Sequence, residues 1–477
     1  MKFSFINPSP PSESMYMVPT AWPPLGILYC AEVLRETGIG VSLLDQPAKC
    51  FSLDDAVSWV RKEEPDLLGF SVLLSSAKEA ARVAERVKAE NPNVVVVFGG
   101  HHSTFNAERI LWKYPFVDVV VRGEGEQACV EVARCIEKRR GLDKVRGVTF
   151  RKKGRVVSNP DRPLNIDVDA LPFPDRGLAG VQYRSTIFGV KINSRKFTTV
   201  LSSRGCPFSC SFCGIRKFTR NVWRPRSVEN VIAELEYLQS EGYEQFLFAD
   251  DNFTLDAKRV SRLCQSIRKA GMDIEWFCDS RVDHISYDMF RDMVKAGCRC
   301  LFFGIESANQ RILDYYRKGI TPGESEKAVC KARKAGVDVI VGSFIVGAPD
   351  ETRREVVNTL RFANRLDIDV PDVNILGAHT GTDIWNDLVA KGFLDEDRQW
   401  EDEICIPRDV ATPVSYDELR SLIFDYFRSF YLNPRQLFTE LLRTSRSSFR
   451  IGAALQNIRG FPQVIENLAH AIRRDEN

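Results

Sequence analysis

The sequence lacks any apolar run long enough to cross a bilayer. Its longest run, around Val94–Phe98, has only the length of a strand. The apolar start of the chain is interrupted by Asn7 and Pro8, too early for the hydrophobic region of a signal peptide. These two absences predict a cytoplasmic protein with no membrane span.

An excess of charge of either sign is also missing. Lys and Arg number 66 against 64 Asp and Glu, which gives a formal net charge of +2. This balance provides no basic field for a nucleic-acid backbone and no polybasic membrane anchor. The charge therefore predicts small-molecule, peptide or protein partners and no nucleic acid.

Histidine is scarce, with five residues, whereas cysteine is plentiful, with 13. In a long chain without a signal peptide, clustered cysteines more often bind metal or do chemistry than form disulfides. Ten of the cysteines stand singly or as a loose pair in apolar or helical surroundings, and we interpret them as core residues. The other three, Cys206, Cys210 and Cys213, are crowded within eight positions of one another.

The length of 477 residues predicts two or three domains. From residue 1 to 140, apolar strands alternate with helical patterns such as Ala77–Glu90, which predicts a doubly wound parallel sheet with its ligand beyond the carboxyl ends of the strands. The predicted strands are Lys2–Ile6, Val41–Asp45, Leu67–Val72, Val94–Phe98 and Val117–Val121.

The rest of the chain divides into three predicted parts. Residues 141–195 hold turn residues, charges and several prolines, and predict a linker with a small hairpin. In residues 196–392, six strand and helix units predict a full or partial β/α barrel. Residues 393–477 turn helical and predict a small C-terminal domain whose helices, Asp417–Tyr431 and Pro434–Ser445, cover the mouth of the barrel.

The three crowded cysteines follow the first predicted barrel strand. Three thiolates on one loop can hold three irons of a cubane cluster, which leaves the fourth iron open to another ligand. A zinc site would need a fourth ligand, and no histidine lies within this loop. A Cys-x-x-Cys redox pair would leave Cys206 unexplained.

This loop resembles the signature of the radical S-adenosylmethionine (SAM) superfamily, Cys-x-x-x-Cys-x-aromatic-Cys. Cys206, Cys210 and Cys213 match the three ligands of a [4Fe-4S] cluster, and Phe212 matches the aromatic position. The resemblance implies that SAM binds the open iron and is cleaved to a 5′-deoxyadenosyl radical. By the same resemblance, Asp250, Arg281, Glu306 and Ile345 lie at SAM-binding positions, the last within a Ser343–Asp350 motif in which Asp350 replaces the family's Glu.

Glycine-rich turns follow two strands of the first domain, at Gly99-Gly100-His101 and Gly123-Glu124-Gly125-Glu126. Glycines at strand ends let a large ligand approach the backbone closely, and no Gly-x-Gly-x-x-Gly indicates a dinucleotide. Beside a radical SAM barrel, this layout resembles a cobalamin-binding domain. The resemblance implies cobalamin contacts at Asn7, Pro8, Leu25, Gly26, Ser71, Leu73, Ser75, Gly99, Gly100, His101, Gly123, Glu124, Gly125 and Glu126.

One motif of the better-known cobalamin domains, Asp-x-His-x-x-Gly, is absent from the sequence. That motif supplies a histidine to the lower face of cobalt. We therefore expect cobalt to bind without a histidine from the protein, and we expect His101 to hold a phosphate or amide arm of the corrin.

Together these features predict a cobalamin-dependent radical SAM methyltransferase that methylates an unactivated carbon of a small molecule, peptide or protein side chain. An electron donor such as ferredoxin or flavodoxin would reduce the cluster. Three alternatives stay open: an oxidative cyclase or rearranging enzyme of the same architecture, a non-catalytic cobalamin sensor, and a tRNA methylthiotransferase. The intact cysteine triplet disfavours the sensor, and the charge balance disfavours a tRNA substrate. The sequence identifies neither the substrate nor further catalytic residues.

Overall fold

Two largely parallel sheets organise the chain in the computed structural model, which describes residues 1–10, 22–184, 186–187, 190–192 and 195–457. The first sheet has seven strands in the order β2-β1-β3-β4-β5-β6-β7, of which the first five are mutually parallel. These strands are β1 (Lys2–Asn7), β2 (Gly40–Asp45), β3 (Leu67–Ser71), β4 (Val95–Gly99), β5 (Val119–Val121), β6 (Val148–Lys152) and β7 (Arg155–Ser158).

Helices cover both faces of the first sheet, which explains why its Val-rich central strands are buried on both sides. The helices are α1 (Leu25–Glu36), α2 (Gln46–Lys49), α3 (Leu53–Glu63), α4 (Ala77–Glu90), α5 (His101–Phe105), α6 (Ala107–Lys113) and α7 (Glu126–Glu137). The doubly wound fold is therefore confirmed.

The first sheet continues past residue 140, where the sequence predicts the end of the first domain. The hairpin of β6 and β7 forms, but β6 pairs antiparallel with β5 and thus extends the first sheet to Ser158. The turn residues and charges of this stretch predict a linker. Its pairing with β5 could not be read from the stretch itself, because β5 lies almost 30 residues earlier in the chain.

The second sheet has six parallel strands in the order β10-β13-β14-β15-β16-β17. Within the described residues β17 does not pair with β10, so the barrel is partial. The remaining strands of the chain are β8 (Thr186–Ile187), β9 (Val190–Lys191), β10 (Phe197–Val200), β11 (Ser203–Arg204), β12 (Arg224–Pro225), β13 (Gln245–Phe248), β14 (Glu275–Arg281), β15 (Cys298–Glu306), β16 (Val339–Val346), β17 (Val370–Ile375), β18 (Gly377–Ala378) and β19 (Ile404–Cys405).

Amphipathic helices pack on the outside of this sheet, and several begin at a Ser, Thr or Asp whose side chain caps the first turn. The helices that follow the first domain are α8 (Ile215–Thr219), α9 (Val228–Ser240), α10 (Ala257–Lys269), α11 (Tyr287–Lys295), α12 (Gln310–Tyr315), α13 (Pro322–Ala335), α14 (Arg353–Arg365), α15 (Asp383–Ala390), α16 (Glu396–Gln399), α17 (Ile406–Asp409), α18 (Tyr416–Tyr431), α19 (Pro434–Ser445) and α20 (Ser448–Asn457). Among the described helices, none is both long and apolar enough to span a membrane.

The C-terminal helices do not cover the barrel mouth as predicted. Helix α18 packs against α14 on the flank of the barrel, where Tyr426 and Phe430 join its outer core. Beyond it, Arg443 and Arg450 form ion pairs with Asp369, which directly precedes β17. Phe449 packs against Phe277 of the barrel interior, with ring centres 6.2 Å apart. Helices α19 and α20 therefore close the amino end of the barrel and leave its carboxyl end to the first domain.

A buried ion-pair network fixes the linker to the barrel. Glu234 of α9 is fully buried and pairs with Arg176 of the linker at 2.6 Å and with Arg226 before α9. Burial alone would raise the pKa of Glu234, but the two guanidinium groups outweigh it and hold the pKa below its usual range.

Replacing Glu234 with Gln should lower the free energy of unfolding by about 3–5 kcal/mol, because two buried guanidinium groups lose their counter-charge. Urea denaturation of both proteins measures this difference. Glu236→Gln, two residues along the same helix and exposed, is the matched control and should leave stability nearly unchanged. A loss as small as that of the control would show that the network contributes little.

Candidate functional site

The three crowded cysteines lie on one loop between β11 and α8, at the carboxyl edge of the barrel, and all three are partly exposed. The loop is anchored from the far side, because the backbone N–H and the hydroxyl of Ser211 donate to the carbonyls of Tyr316 and Tyr315, each at 2.9 Å. At its start Gly205 has φ of +89°, and a Cβ there would lie 2.2 Å from the carbonyl oxygen of Val222. Only glycine fits at this turn.

Arg281 at the end of β14 lies against this loop. Its Nη1 donates to the sulfur of Cys210 at 3.8 Å, and its guanidinium lies 3.8 Å from the centre of the Phe208 ring. Asp283 holds it through two contacts of 2.8 and 2.9 Å, and the Lys318 carbonyl accepts a third. Arg281, which the sequence predicts at a SAM-binding position, thus places its positive charge beside the sulfur of Cys210.

The three thiols lie on one loop, but they do not have the spacing of ligands around one metal ion. Among the described residues, no group of three His, Cys, Asp or Glu side chains has the spacing of a bound metal ion. Burial raises the pKa of Cys206, and it raises the pKa of Cys213 to about 11. The thiol donor set itself, partly exposed beside a guanidinium, fits an iron–sulfur cluster, whose positive irons offset the cost of ionising buried thiols.

Phe212, the aromatic residue of the motif, is partly buried against the barrel. Its ring meets that of Tyr316 edge to face, with centres 5.4 Å apart, and the Lys318 ammonium lies 5.9 Å from it. Phe212 therefore packs the loop onto the barrel.

A cavity of about 170 Å³ lies inside the barrel mouth, bordered by the ends of β13 to β16. Asp251 and Asp279 both face it. Burial raises the pKa of Asp251 to about 6 and that of Asp279 to about 7, and the negative charges of nearby aspartates add to the second shift. Its remaining wall residues are Ser280, Arg281, Phe302, Phe303, Gly304, Lys318 and Ser343.

The structure separates the two adjacent aspartates after β13. Asp250, the predicted SAM contact, is fully buried, and its carboxylate accepts from the Ser202 N–H and from the hydroxyls of Ser202 and Ser203 at 2.5–2.7 Å. It braces the chain ahead of the cluster loop. Asp251 accepts from the Gly205 N–H at 2.9 Å and faces the cavity. The sequence predicts the SAM contact at Asp250, whereas in the structure Asp251 faces the cavity, because the two successive side chains point to opposite sides.

Glu306 lies at a bulge that ends β15, with φ of +64°, a region that a non-glycine residue rarely adopts. Its carboxylate accepts from the Lys318 ammonium at 2.6 Å, and both side chains are buried. Glu306 therefore meets the cavity through Lys318, which lies on the wall.

The turn after β16 holds a buried glutamate that the sequence did not single out. Ile345, predicted at a SAM-binding position, is half-buried on β16 and is not among the residues that line the barrel cavity, and Asp350 is exposed. Glu351 instead accepts from the N–H groups of Gly347 and Ala348 at 2.6 and 3.2 Å, and burial raises its pKa to about 7. A motif spacing one residue longer would have identified Glu351.

A second cavity, of about 360 Å³, lies between the two domains. Nine of the residues predicted to contact cobalamin lie on its wall: Gly26, Ser71, Gly99, Gly100, His101, Gly123, Glu124, Gly125 and Glu126. The barrel supplies the facing wall: Leu201, Ser203, Arg204, Gly205, Ile215, Phe218, Thr219, Ala249 and Asp251.

The other five predicted contacts lie off this wall: Asn7, Pro8, Leu25, Leu73 and Ser75. Asn7 donates to the Asp45 carboxylate at 3.0 Å, and Leu73 is exposed. The sequence missed Tyr29, Cys30 and Cys129, which do line the cavity, because on α1 and α7 they follow the helical spacing of core residues.

The glycines on the wall serve different purposes. Gly100 has φ of +91°, and a Cβ there would lie 2.8 Å from the Val72 carbonyl oxygen, so the fold itself requires glycine. Gly26 and Gly123 have no atom within 4 Å of such a Cβ. At both positions a side chain would occupy cavity space, which fits a large ligand that approaches the backbone, although φ of +75° at Gly123 also favours glycine there.

His101 closes the cavity on the barrel side by stacking on Phe218, with ring centres 4.2 Å apart. Asp251 lies on the walls of both cavities. The two cavities therefore meet at Asp251, one facing the first domain and one inside the barrel, with the cysteine loop beside them.

The first domain is a doubly wound sheet whose glycine-lined edge faces a partial barrel with a three-cysteine loop. This arrangement is that of a radical SAM protein with a cobalamin-binding domain. Residues 200–363 match the radical SAM superfamily, and residues 17–133 match the B12 binding domain.

Known proteins resemble most of the chain. An uncharacterized methyltransferase of Pyrococcus horikoshii is 36% identical over 92% of this chain and 95% of its own length. The anaerobic magnesium-protoporphyrin IX monomethyl ester cyclase of Rubrivivax gelatinosus is 28% identical over 91% of this chain and 78% of that protein. The solved structure of the methyltransferase TsrM of Kitasatospora setae shares the fold, with a TM-score of 0.67 at 18% identity over 82% of this chain and 75% of TsrM.

The chain belongs to the cobalamin-dependent radical SAM methyltransferase family. It is an enzyme whose cofactors are a [4Fe-4S] cluster, SAM and cobalamin. The predictions of family, enzyme class and cofactors are confirmed.

Replacing Cys206, Cys210 and Cys213 together with Ala should abolish the binding of about four irons per chain after anaerobic reconstitution, since the cubane loses its thiolates. Iron analysis and the brown absorbance measure this loss. Replacing the exposed Cys50 and Cys330 with Ala is the matched control and should leave the iron content unchanged. A triple variant that keeps its iron would refute the assignment of the cluster loop.

Acid should destabilise the protein through its buried histidines. Burial, with His379 nearby, lowers the pKa of His101 and of His102 from 6.5 to about 4. The folded state keeps both rings neutral, while the unfolded state binds protons below pH 6.5, so stability is lost as the pH falls from about 6.5 to 4. His102→Gln should flatten this dependence of the melting temperature, and the exposed His284→Gln should not. Parallel slopes in both variants would contradict this origin.

Proposed function

We propose that the chain transfers a methyl group from cobalamin to an unactivated carbon of a small molecule, peptide or protein side chain. The observation that carries this proposal is the meeting of the two cavities at Asp251. A substrate at this junction would face the barrel site on one side and the cobalamin domain on the other.

When bound, the cofactors supply a 5′-deoxyadenosyl radical for hydrogen abstraction and a methyl group for transfer. The residues of the chain position them. Cys206, Cys210 and Cys213 would hold the cluster, and Arg281 would balance its negative charge. Gly26 and Gly123 leave space for the corrin, and His101 lies at its edge.

The barrel cavity would hold SAM through the two charged groups of SAM, its amino group and its carboxylate. Asp251, fixed by the Gly205 N–H, would accept hydrogen bonds from the amino group of SAM. Lys318, held by Glu306, would face its carboxylate. Glu351 fixes the turn after β16 that borders the adenine in the family resemblance. A ferredoxin or flavodoxin type of donor would deliver the electron.

An oxidative cyclase is the second candidate, since the Rubrivivax relative at 28% identity is a cyclase. The higher identity of 36% to an uncharacterized methyltransferase, across nearly its whole length, favours methyl transfer. The products separate the two, because only a methyltransferase adds a carbon to its substrate.

Gly26→Phe tests the cobalamin-dependent step. Gly26 is the second residue of α1, and no atom lies within 4 Å of a Cβ built there, so the new ring would enter the cavity without straining the backbone. The variant should lose cobalamin while keeping its iron and its SAM cleavage. Anaerobic incubation with host extract, reductant, cobalamin and SAM labelled in its methyl group, followed by mass spectrometry, should show one labelled methyl on a product for the wild type only.

Gly323→Phe provides the control, since Gly323 is also the second residue of a helix, α13, with no atom within 4 Å of an added Cβ. It should retain cobalamin and methyl transfer. Wild-type protein that binds no cobalamin, or that yields an oxidised product without the label, would overturn the methyltransferase proposal.

A further inference from the structure

Four charged side chains form a buried network across the domain interface. Glu124 follows β5 and Glu126 begins α7, both in the first domain, whereas Arg204 on β11 and Arg224 on β12 belong to the barrel. Arg204 lies 3.3 Å from Glu124 and 2.8 Å from Glu126. Arg224 forms a two-point contact with Glu124, at 2.7 and 2.9 Å.

The network is shielded from solvent and balanced in charge. The side chains of Arg204, Glu124 and Glu126 are 9–13% exposed, and that of Arg224 is 3% exposed. Burial would raise the pKa of Glu124, but the two guanidinium groups hold it below its usual range. Tyr29 of α1 adds an aromatic face 4.7 Å from the Arg204 guanidinium. With two arginines and two carboxylates, the four charges sum to zero.

These residues join the two loops that hold the cofactors. Glu124 lies between Gly123 and Gly125 on the wall of the interdomain cavity, and Arg204 is two residues before Cys206. β11 and β12 pair antiparallel, so that Arg204 and Arg224 lie opposite each other and both bind the carboxylate of Glu124. The glycine loop of the first domain is thereby fixed directly to the strand that leads into the cluster loop.

We infer that Arg204, Arg224, Glu124 and Glu126 are positioning residues that set the distance between cobalamin and the cluster. This inference rests on the proposed function and changes one part of the family-based prediction. The carboxylates of Glu124 and Glu126 serve the barrel domain, and the alternating glycines, Gly123 and Gly125, serve cobalamin. A two-point contact between a guanidinium and a carboxylate fixes orientation as well as distance, which a single lysine contact would not.

The reaction needs such a device because the two cofactors sit on different domains. A reacting geometry tolerates little displacement, and a shift of 1 Å can cost about 100-fold in rate. A buried ion pair adds little net stability compared with an apolar contact, so positioning is the better explanation for its presence.

The test compares Glu124→Gln, the double variant Glu124→Gln with Arg224→Met, and Glu131→Gln as control. Glu131 lies on α7, and its carboxylate pairs with Arg162 of the linker rather than with an arginine of the barrel. Each protein is reconstituted with iron and cobalamin. Iron content, bound cobalamin and SAM cleavage are measured first, and electron paramagnetic resonance then records the relaxation of Co(II) by the reduced cluster, which depends steeply on their distance.

We expect Glu124→Gln to keep iron, cobalamin and SAM cleavage but to lose the defined relaxation enhancement, with methyl transfer falling by about 100-fold for each ångström of displacement. The double variant restores the zero net charge of the network but not the ion pair between the two domains. Its relaxation enhancement and methyl transfer should therefore remain as low as those of Glu124→Gln. Glu131→Gln should match the wild type.

Three outcomes overturn the inference: an unchanged relaxation in Glu124→Gln, recovery in the double variant, or loss of cobalamin itself, which would make Glu124 a cofactor ligand. Failure of the wild type to bind cobalamin would instead refute the proposed function.

Discussion

The structure depends on one arrangement, in which the carboxyl edges of its two parallel sheets lie against each other. In a parallel sheet every loop that can bind a ligand lies at the carboxyl ends of the strands, so each domain has one functional edge. Chemistry that uses both domains requires these two edges to lie against each other. The C-terminal helices respect this constraint, since α19 and α20 close the amino end of the barrel and leave its mouth to the first domain.

Buried charge fixes the parts relative to one another. Glu234 joins the linker to α9, Asp369 joins the C-terminal helices to the barrel, and Glu124 joins the first domain to the strand before the cluster loop. Glu234 and Glu124 are each held by two arginines, and Asp369 is held by three. Two apolar surfaces can shift against each other with little change in free energy. A buried carboxylate that is displaced from its arginines, by contrast, loses the attraction that offsets its desolvation. Ion pairs of this kind therefore select one arrangement among several that would bury similar area.

The cavity walls show how one residue type serves different constraints. Gly100 and Gly205 are glycines because backbone carbonyls of Val72 and Val222 lie where a Cβ would be. Gly26 has open space instead, and there the absent side chain leaves space for a ligand, whereas Gly123 combines open space with a φ of +75° that itself favours glycine. A sequence presents all four as glycines at the edges of strands or helices, and only the surrounding atoms separate the structural requirement from the functional one.

The sequence by itself determined the strands, most of the helices, the two-domain order and the chemistry of the cysteine loop. These follow from local periodicity and from a motif whose residues lie close together in the chain. It also named nine residues of the interdomain wall, because glycine-rich turns after parallel strands share one edge.

Tertiary structure alone decided the pairing of β6 with β5, the placement of α19 and α20, the choice between Asp250 and Asp251, and the partners of Glu124. Each of these depends on atoms from distant segments: an edge strand that needs hydrogen bonds, a loop aspartate that needs a counter-charge, a side chain directed by its neighbours. The local sequence contains the donors and acceptors, but the free energy of pairing them is set by which of them meet when the chain is folded.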